Sequence, residues 1–164
     1  MGVKQRLYCQ LKRARDYSEG LLAAFKSPQE WVHQVHPNAN HALWFAGHMA
    51  TSDNFFLSLV APDKTDTKPQ FQSCFGMGSQ PTANLGDYPD PEEVLGYMRD
   101  RRRQLMQVLE GLGEDDLSRS LPQGAPDFLS DFASVFELAI WHEGLHSGQV
   151  SVARRSLGNA PLGG

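Results

Sequence analysis

The chain has 164 residues, a net charge of −4 and 40% hydrophobic residues, enough for one domain over 1–164 with a sizeable core. The slight acidity and the absence of a basic stripe argue against nucleic acid as the main partner, and no apolar run reaches membrane-spanning length. Two cysteines, Cys9 and Cys74, do not build a disulfide framework, and Met1 is followed by a polar, charged stretch unlike a signal peptide, so a reducing cytoplasm is the expected setting.

The first helical pattern runs from about Val3 to Phe25, with Leu7, Leu11, Tyr17, Leu21, Leu22 and Phe25 as candidate core positions. The second runs from about Asn40 to Leu59. It carries Trp44, His48, Phe55 and Leu59 on neighbouring rows, with His41 one turn ahead of Trp44 and Phe45. The stretch from Ala61 to Pro89 holds Pro62, Pro69, Pro81, Pro89, Gly76, Gly78 and Gly86, a density that interrupts regular structure. So long a connection suits a crossover joining the ends of two parallel helices, and its part 71–79 reads either as a surface loop or as a lid. Cys74 lies in it, as an inert or a reactive thiol.

The third helix opens at Asp90, with Pro91 in its first turn and Glu93 three residues after the cap. Val94, Leu95, Met98, Leu105, Val108 and Leu109 form its apolar stripe, Arg101-Arg102-Arg103 reads as a solvated face, and Gly111 and Gly113 end it. The fourth opens near Ser130 and Asp131 and ends before Gly158, with Arg154 and Arg155 complementing the helix dipole. Its inner stripe reads Phe132, Val135, Leu138, Ala139, His142, His146, Gln149, Val150 and Ala153. No strand pattern and no repeat appear, so the expected fold is all-α, a four-helix bundle with one long crossover between its second and third helices.

His142 and His146 are four residues apart and share one helix face. Inward imidazoles need partners in a dry core, and a metal ion supplies one for both. His48 offers a third nitrogen from another helix, and sites of this kind are built from facing helices of bundles. Three neutral imidazoles suit a first-row divalent ion and leave coordination positions open. The alternative is that each histidine is simply hydrogen-bonded in the core.

His142-Glu143-Gly144-Leu145-His146 also matches the zinc-peptidase pattern H-E-x-x-H. The rest of the chain does not follow. Gln149 and Val152 stand where the metzincin extension has glycine and histidine, and no Glu, Asp or His follows His146. A helical chain also lacks the edge strand that holds a peptide. Glu143 lies about 100° round the helix from His142, which makes it a rim or solvent residue unless it acts as a base.

Gly47-His48-Met49 and the run His142-Glu143-x-x-His146-x-Gly148-Gln149 resemble the DinB-like (DinB/YfiT-type) helical bundle family over nearly the whole chain. The resemblance implies an up-down-down-up four-helix bundle with its crossover at 61–89. It also implies one divalent metal, whether zinc, nickel, iron or manganese, on His48, His142 and His146. Family activities include metal-dependent transfer with low-molecular-weight thiols, and hydrolase-like and isomerase-like reactions. Ser147 stands where many relatives carry a second histidine or a basic residue.

Three functions follow as expectations. The first is a metal-dependent transferase for a small thiol and an electrophile, with Gln149 orienting a ligand, Glu143 or His41 moving protons, and Trp44 and Trp141 walling the site. The second is hydrolysis of a small substrate by activated water with Glu143 as base. The third is a non-enzymatic, stress-associated or dimerising bundle with structural histidines. A homodimer is expected in each case.

Overall fold

Helices form where apolar periodicity and capping residues agree. The computed structural model describes residues 1–163. It has helices α1 (Val3–Leu22), α2 (Pro28–Trp31), α3 (Ala42–Val60), α4 (Pro69–Phe75), α5 (Pro91–Gly111) and α6 (Phe132–Ser156). Asp90 caps α5 by accepting from the Glu92 N–H, and Asp131 and Ser134 form a reciprocal capping box on α6. Among the described residues there is no strand, only a single bridge between Ser120 and Asp131.

The four long helices make the bundle. Leu21, Leu43, Val94 and Val150 meet in one core cluster, and Leu7, Leu57, Leu105 and Val135 meet in the other. So α1 and α6 run one way and α3 and α5 the other, an up-down-down-up order. α3 packs on α5, α6 and α4, while α1 packs on α6 and α5. This leaves α3 buried on every side from Ala42 to Thr51. Among the described residues no helix is long and apolar enough to cross a membrane.

The crossover is more ordered than its proline and glycine content suggests. It contains α4, which buries Phe71 and Phe75 against the bundle. Gly47 makes this possible, because a Cβ there would lie 2.2 Å from the Phe75 ring.

Three expected orientations are corrected. Tyr17 is exposed, and Arg15 and Ser18 turn inward on α1 instead. Arg101 and Arg102 are buried, not solvated, and only Arg103 of that run is exposed. On α6 the inward stripe is rotated: Phe136, Glu143 and Ser147 face the interior, while Leu138, His142 and His146 are half-buried and Gln149 is exposed. Arg15, Arg102 and Glu143 turn inward together into one charged layer on the bundle axis, while Arg101 is held by Asp100 and the Lys64 carbonyl.

Candidate metal centre

His48 reaches the site from buried α3, and His142 and His146 from successive turns of α6, which packs on α3. Their Nε2 atoms converge. His142 Nε2 lies 3.2 Å from His48 Nε2 and 3.1 Å from His146 Nε2. One ring nitrogen from each of the three falls within 4.8 Å of the others.

The opposite ring nitrogens settle two tautomers. His48 Nδ1 lies 2.7 Å from the Phe75 carbonyl, an acceptor, so Nδ1 carries the proton and Nε2 a lone pair. His146 Nδ1 lies 2.8 Å from Gln149 Oε1, which also accepts from Asn40 Nδ2 at 2.9 Å. That places the His146 proton on Nδ1 as well. At least two Nε2 lone pairs therefore point at His142 Nε2, which can donate to only one of them. Trp44 stacks on the His48 ring at 4.4 Å and fixes its plane.

Burial lowers the His48 pKa from about 6.5 to about 4 and that of His142 to about 3, and lowers His146 too. All three are neutral at pH 7, the form in which imidazole ligates. Metal–nitrogen bonds of ~2.0–2.1 Å separate ligand atoms by about 3.0 Å in octahedral and about 3.3 Å in tetrahedral arrangements, which brackets the two Nε2 spacings from His142. Protonated Nδ1 atoms on a carbonyl and an amide oxygen are the outer contacts that orient ligating histidines. The donor set fits a divalent ion.

Glu143 faces elsewhere. It is fully buried, which corrects its reading as a rim or solvent residue. Arg15 Nε donates to Glu143 Oε1 at 2.7 Å, Ser18 Oγ donates to the same oxygen, and Arg102 donates to Oε2. Asp53 accepts from Arg15 at 3.0 Å and from Arg102 at two atoms, each 2.9 Å away. Each long helix thus gives one member to a buried layer of two arginines and two carboxylates. Burial alone would raise the Glu143 pKa, but Arg15 and Arg102 outweigh it and hold it at about 2. Sequence reasoning missed Arg15, Asp53 and Arg102. The signal was available, because Leu7-Leu11-Arg15-Ser18-Leu22 and Met98-Arg102-Leu105-Leu109 are apolar rows interrupted once by charge.

His41 is fully buried. Its Nδ1 accepts from the Trp44 N–H and caps α3, and its Nε2 meets the Tyr88 hydroxyl at 3.2 Å. Burial lowers its pKa to about 4. Cys74 is half-buried beside the Asp87 carbonyl, and burial raises its thiol pKa.

His48 and His142 open onto a cleft of about 760 Å³ between α3, the crossover, α6 and the 119–131 connection. Trp141, expected to wall the site, lines this cleft, as do Gly76 and Met77 just after α4. Segment 71–79 is therefore partly core and partly cleft wall.

A family model described as the DinB superfamily matches residues 10–150. Among solved structures, the crystal structure of the conserved protein of locus from Enterococcus faecalis is similar at a TM-score of 0.73 and 20% identity. The match covers 97% of this chain and 99% of that one, and it supports the fold. No curated protein matches significantly.

Proposed function

The chain belongs to the DinB superfamily, and from its converging histidines we propose a metal-dependent transferase that uses a small thiol. The observation that carries this reading is the approach of three neutral imidazoles through Nε2, two of them held by Nδ1 hydrogen bonds. A divalent ion bound there would favour the thiolate of a coordinated thiol. His48, His142 and His146 would hold it. Gln149 and Asn40 orient His146, the Phe75 carbonyl and Trp44 orient His48, and the cleft beside His48 and His142 gives access for a substrate.

Transfer is favoured over hydrolysis because Glu143, the candidate base in both readings, is engaged elsewhere, and a thiol, far more acidic than water, needs less help from a base once a metal holds it. The Glu143 carboxylate accepts from two arginines and a serine, and its pKa of about 2 makes it a weak proton acceptor. We assign Glu143 to holding α6 in register. The cysteines, both free, suit the reducing cytoplasm that such a reaction needs.

For the expected homodimer we propose the outer face of α6. Glu137, Leu145, Val152 and Arg155 lie within an arc of about 80° on it. Leu145 and Val152 are exposed, and neither Glu137 nor Arg155 makes an ion pair among the described residues. An antiparallel two-fold contact sets each Glu137 opposite the partner copy's arginine end. Sedimentation of the native chain and of Leu145→Lys tests this, with a monomeric native chain against it.

The first experiment on function is elemental analysis of untagged protein purified without chelator, beside His142→Ala. About one equivalent of a transition metal in the native chain, absent from the variant, is the expected result. That ion is then used in thiol-transfer and hydrolysis assays. Both proteins folded and refusing added nickel, zinc, iron and manganese would overturn the reading.

A further inference from the structure

Among the described residues, no Lys, Arg, Asp or Glu lines the cleft beside His48 and His142. Its polar groups are neutral hydroxyls and amides, among them Thr51, Asn54 and Gln72. Lys64 and Lys68, next to this wall in sequence, form surface ion pairs with Asp63 and Glu93, and Arg101, behind Asn54, is paired with Asp100. Phe55, Met77, Phe128 and Trp141 are large apolar side chains left exposed, and all four line it. Isolated exposed apolar residues are ordinary, but four converging on a concave surface mark a ligand site.

We propose that this cleft binds an uncharged, largely aromatic or aliphatic small molecule and discriminates against its carboxylate analogues. This rests on the metal-centre reading only for the ligand's reactive end, which would point toward His48 and His142. A carboxylate on the body of the ligand, away from His48 and His142, loses water and finds no cationic side chain to replace it. An apolar body gains contact with Trp141 and Phe128 while the hydroxyls and amides accept neutral polar groups. The thiol or electrophile handled here is then a hydrophobic one, not a multiply charged thiol.

Matched probes test this by calorimetry on the apo chain, where no metal ion competes for the carboxylate. The pair 4-biphenylmethanol and 4′-(hydroxymethyl)biphenyl-4-carboxylate needs no thiol chemistry. The neutral alcohol is expected to bind about tenfold or more tightly than the acid, the factor that corresponds to about 1.4 kcal/mol. Trp141→Ala and Phe128→Ala alter exposed side chains, so they should fold normally and weaken the alcohol several-fold. Ser52→Lys, on the half-buried wall, should raise affinity for the acid. Equal or tighter binding of the acid, or no binding of either probe, overturns the proposal. The corresponding biphenyl-4-methanethiol pair separates the two readings. If the alcohols are discriminated but zinc-loaded protein shows no thiolate ligation, the thiol-transfer reading fails and the cleft assignment stands.

Discussion

Two polar clusters lie side by side on α6, and adjacent residues, His142 and Glu143, belong to different ones. The charged layer of Arg15, Asp53, Arg102 and Glu143 is closed: positive and negative charges balance, and each carboxylate receives bonds from both arginines. The histidine cluster is open. The Nδ1 contacts of His48 and His146 are made, but the Nε2 atoms meet one another, and His142 can satisfy only one of the two lone pairs it faces, a demand that a cation meets. Position adds to the contrast. The layer sits on the bundle axis, while the histidines sit at its edge beside a cleft. A buried polar group whose partners are complete belongs to the fold, and one whose lone pairs are left over belongs to chemistry.

Breaking the closed layer should have the largest effect. Glu143→Ala leaves two buried guanidinium groups short of a partner and is expected to cost about 3–5 kcal/mol of unfolding free energy, read by urea denaturation. Replacing the whole layer with matched apolar residues should cost far less. A Glu143→Ala protein of native stability that has lost turnover would make Glu143 a catalytic group and erase the distinction drawn above.

The open cluster should behave oppositely. His48→Ala, His142→Ala and His146→Ala are each expected to lower metal affinity by more than about 100-fold, because even outer contacts to ligating histidines are worth ~10–100-fold. Apo stability should change by less than about 1 kcal/mol in His142→Ala and His146→Ala, which are half-buried, and by about 1–3 kcal/mol in His48→Ala, which also loses the bond to the Phe75 carbonyl and the Trp44 stack. Full metal occupancy in any one variant removes that residue from the ligand set.

Acid should separate the histidines by role. His41 has a folded pKa near 4 and an unfolded value near 6.5, so between these the unfolded chain binds the extra proton. Its contribution is complete above pH 6.5 and is lost as pH falls toward 4, by up to about 3 kcal/mol. His41→Asn keeps an acceptor for the Trp44 N–H and removes the titration. The slope of stability against pH over this window should flatten in that variant, and an unchanged slope would place the titrating group elsewhere.

Much of the architecture was legible in the chain because capping residues and apolar rows agree. Asp90-Pro91 and Asp131 open α5 and α6 where the pattern begins, and the four-residue spacing of His142 and His146 brings both rings to one side. The exact face of α6 was not legible. Glu143 reads as polar and therefore outward, and only three other helices, each with one charge in an apolar row, show that it is paired inside. Arg102 was misread for the same reason. Phe71 and Phe75 were hidden by the prolines and glycines around them, since turn residues flanking a two-turn helix look like a loop.

Gly47 links the histidine site to that hidden helix and gives the smallest, sharpest prediction. Its missing Cβ lets the Phe75 ring lie flat on α3, and this seats the Phe75 carbonyl 2.7 Å from His48 Nδ1. Gly47→Ala adds a methyl where the ring now stands, so α4 must lift or α3 must bend, at about 1–3 kcal/mol. Alanine's better helix propensity offsets at most about 1 kcal/mol of this. When α4 lifts, His48 loses the acceptor that fixes its tautomer, and metal affinity should fall about tenfold with all three ligands intact. Metal titration of Gly47→Ala beside Phe75→Leu distinguishes the causes, because Phe75→Leu shrinks the ring and leaves the carbonyl in place. Weaker metal binding in the glycine variant alone would show that the crossover, through one carbonyl, is part of the metal site. Equal affinity in both would confine α4 to the closed, structural half of the molecule.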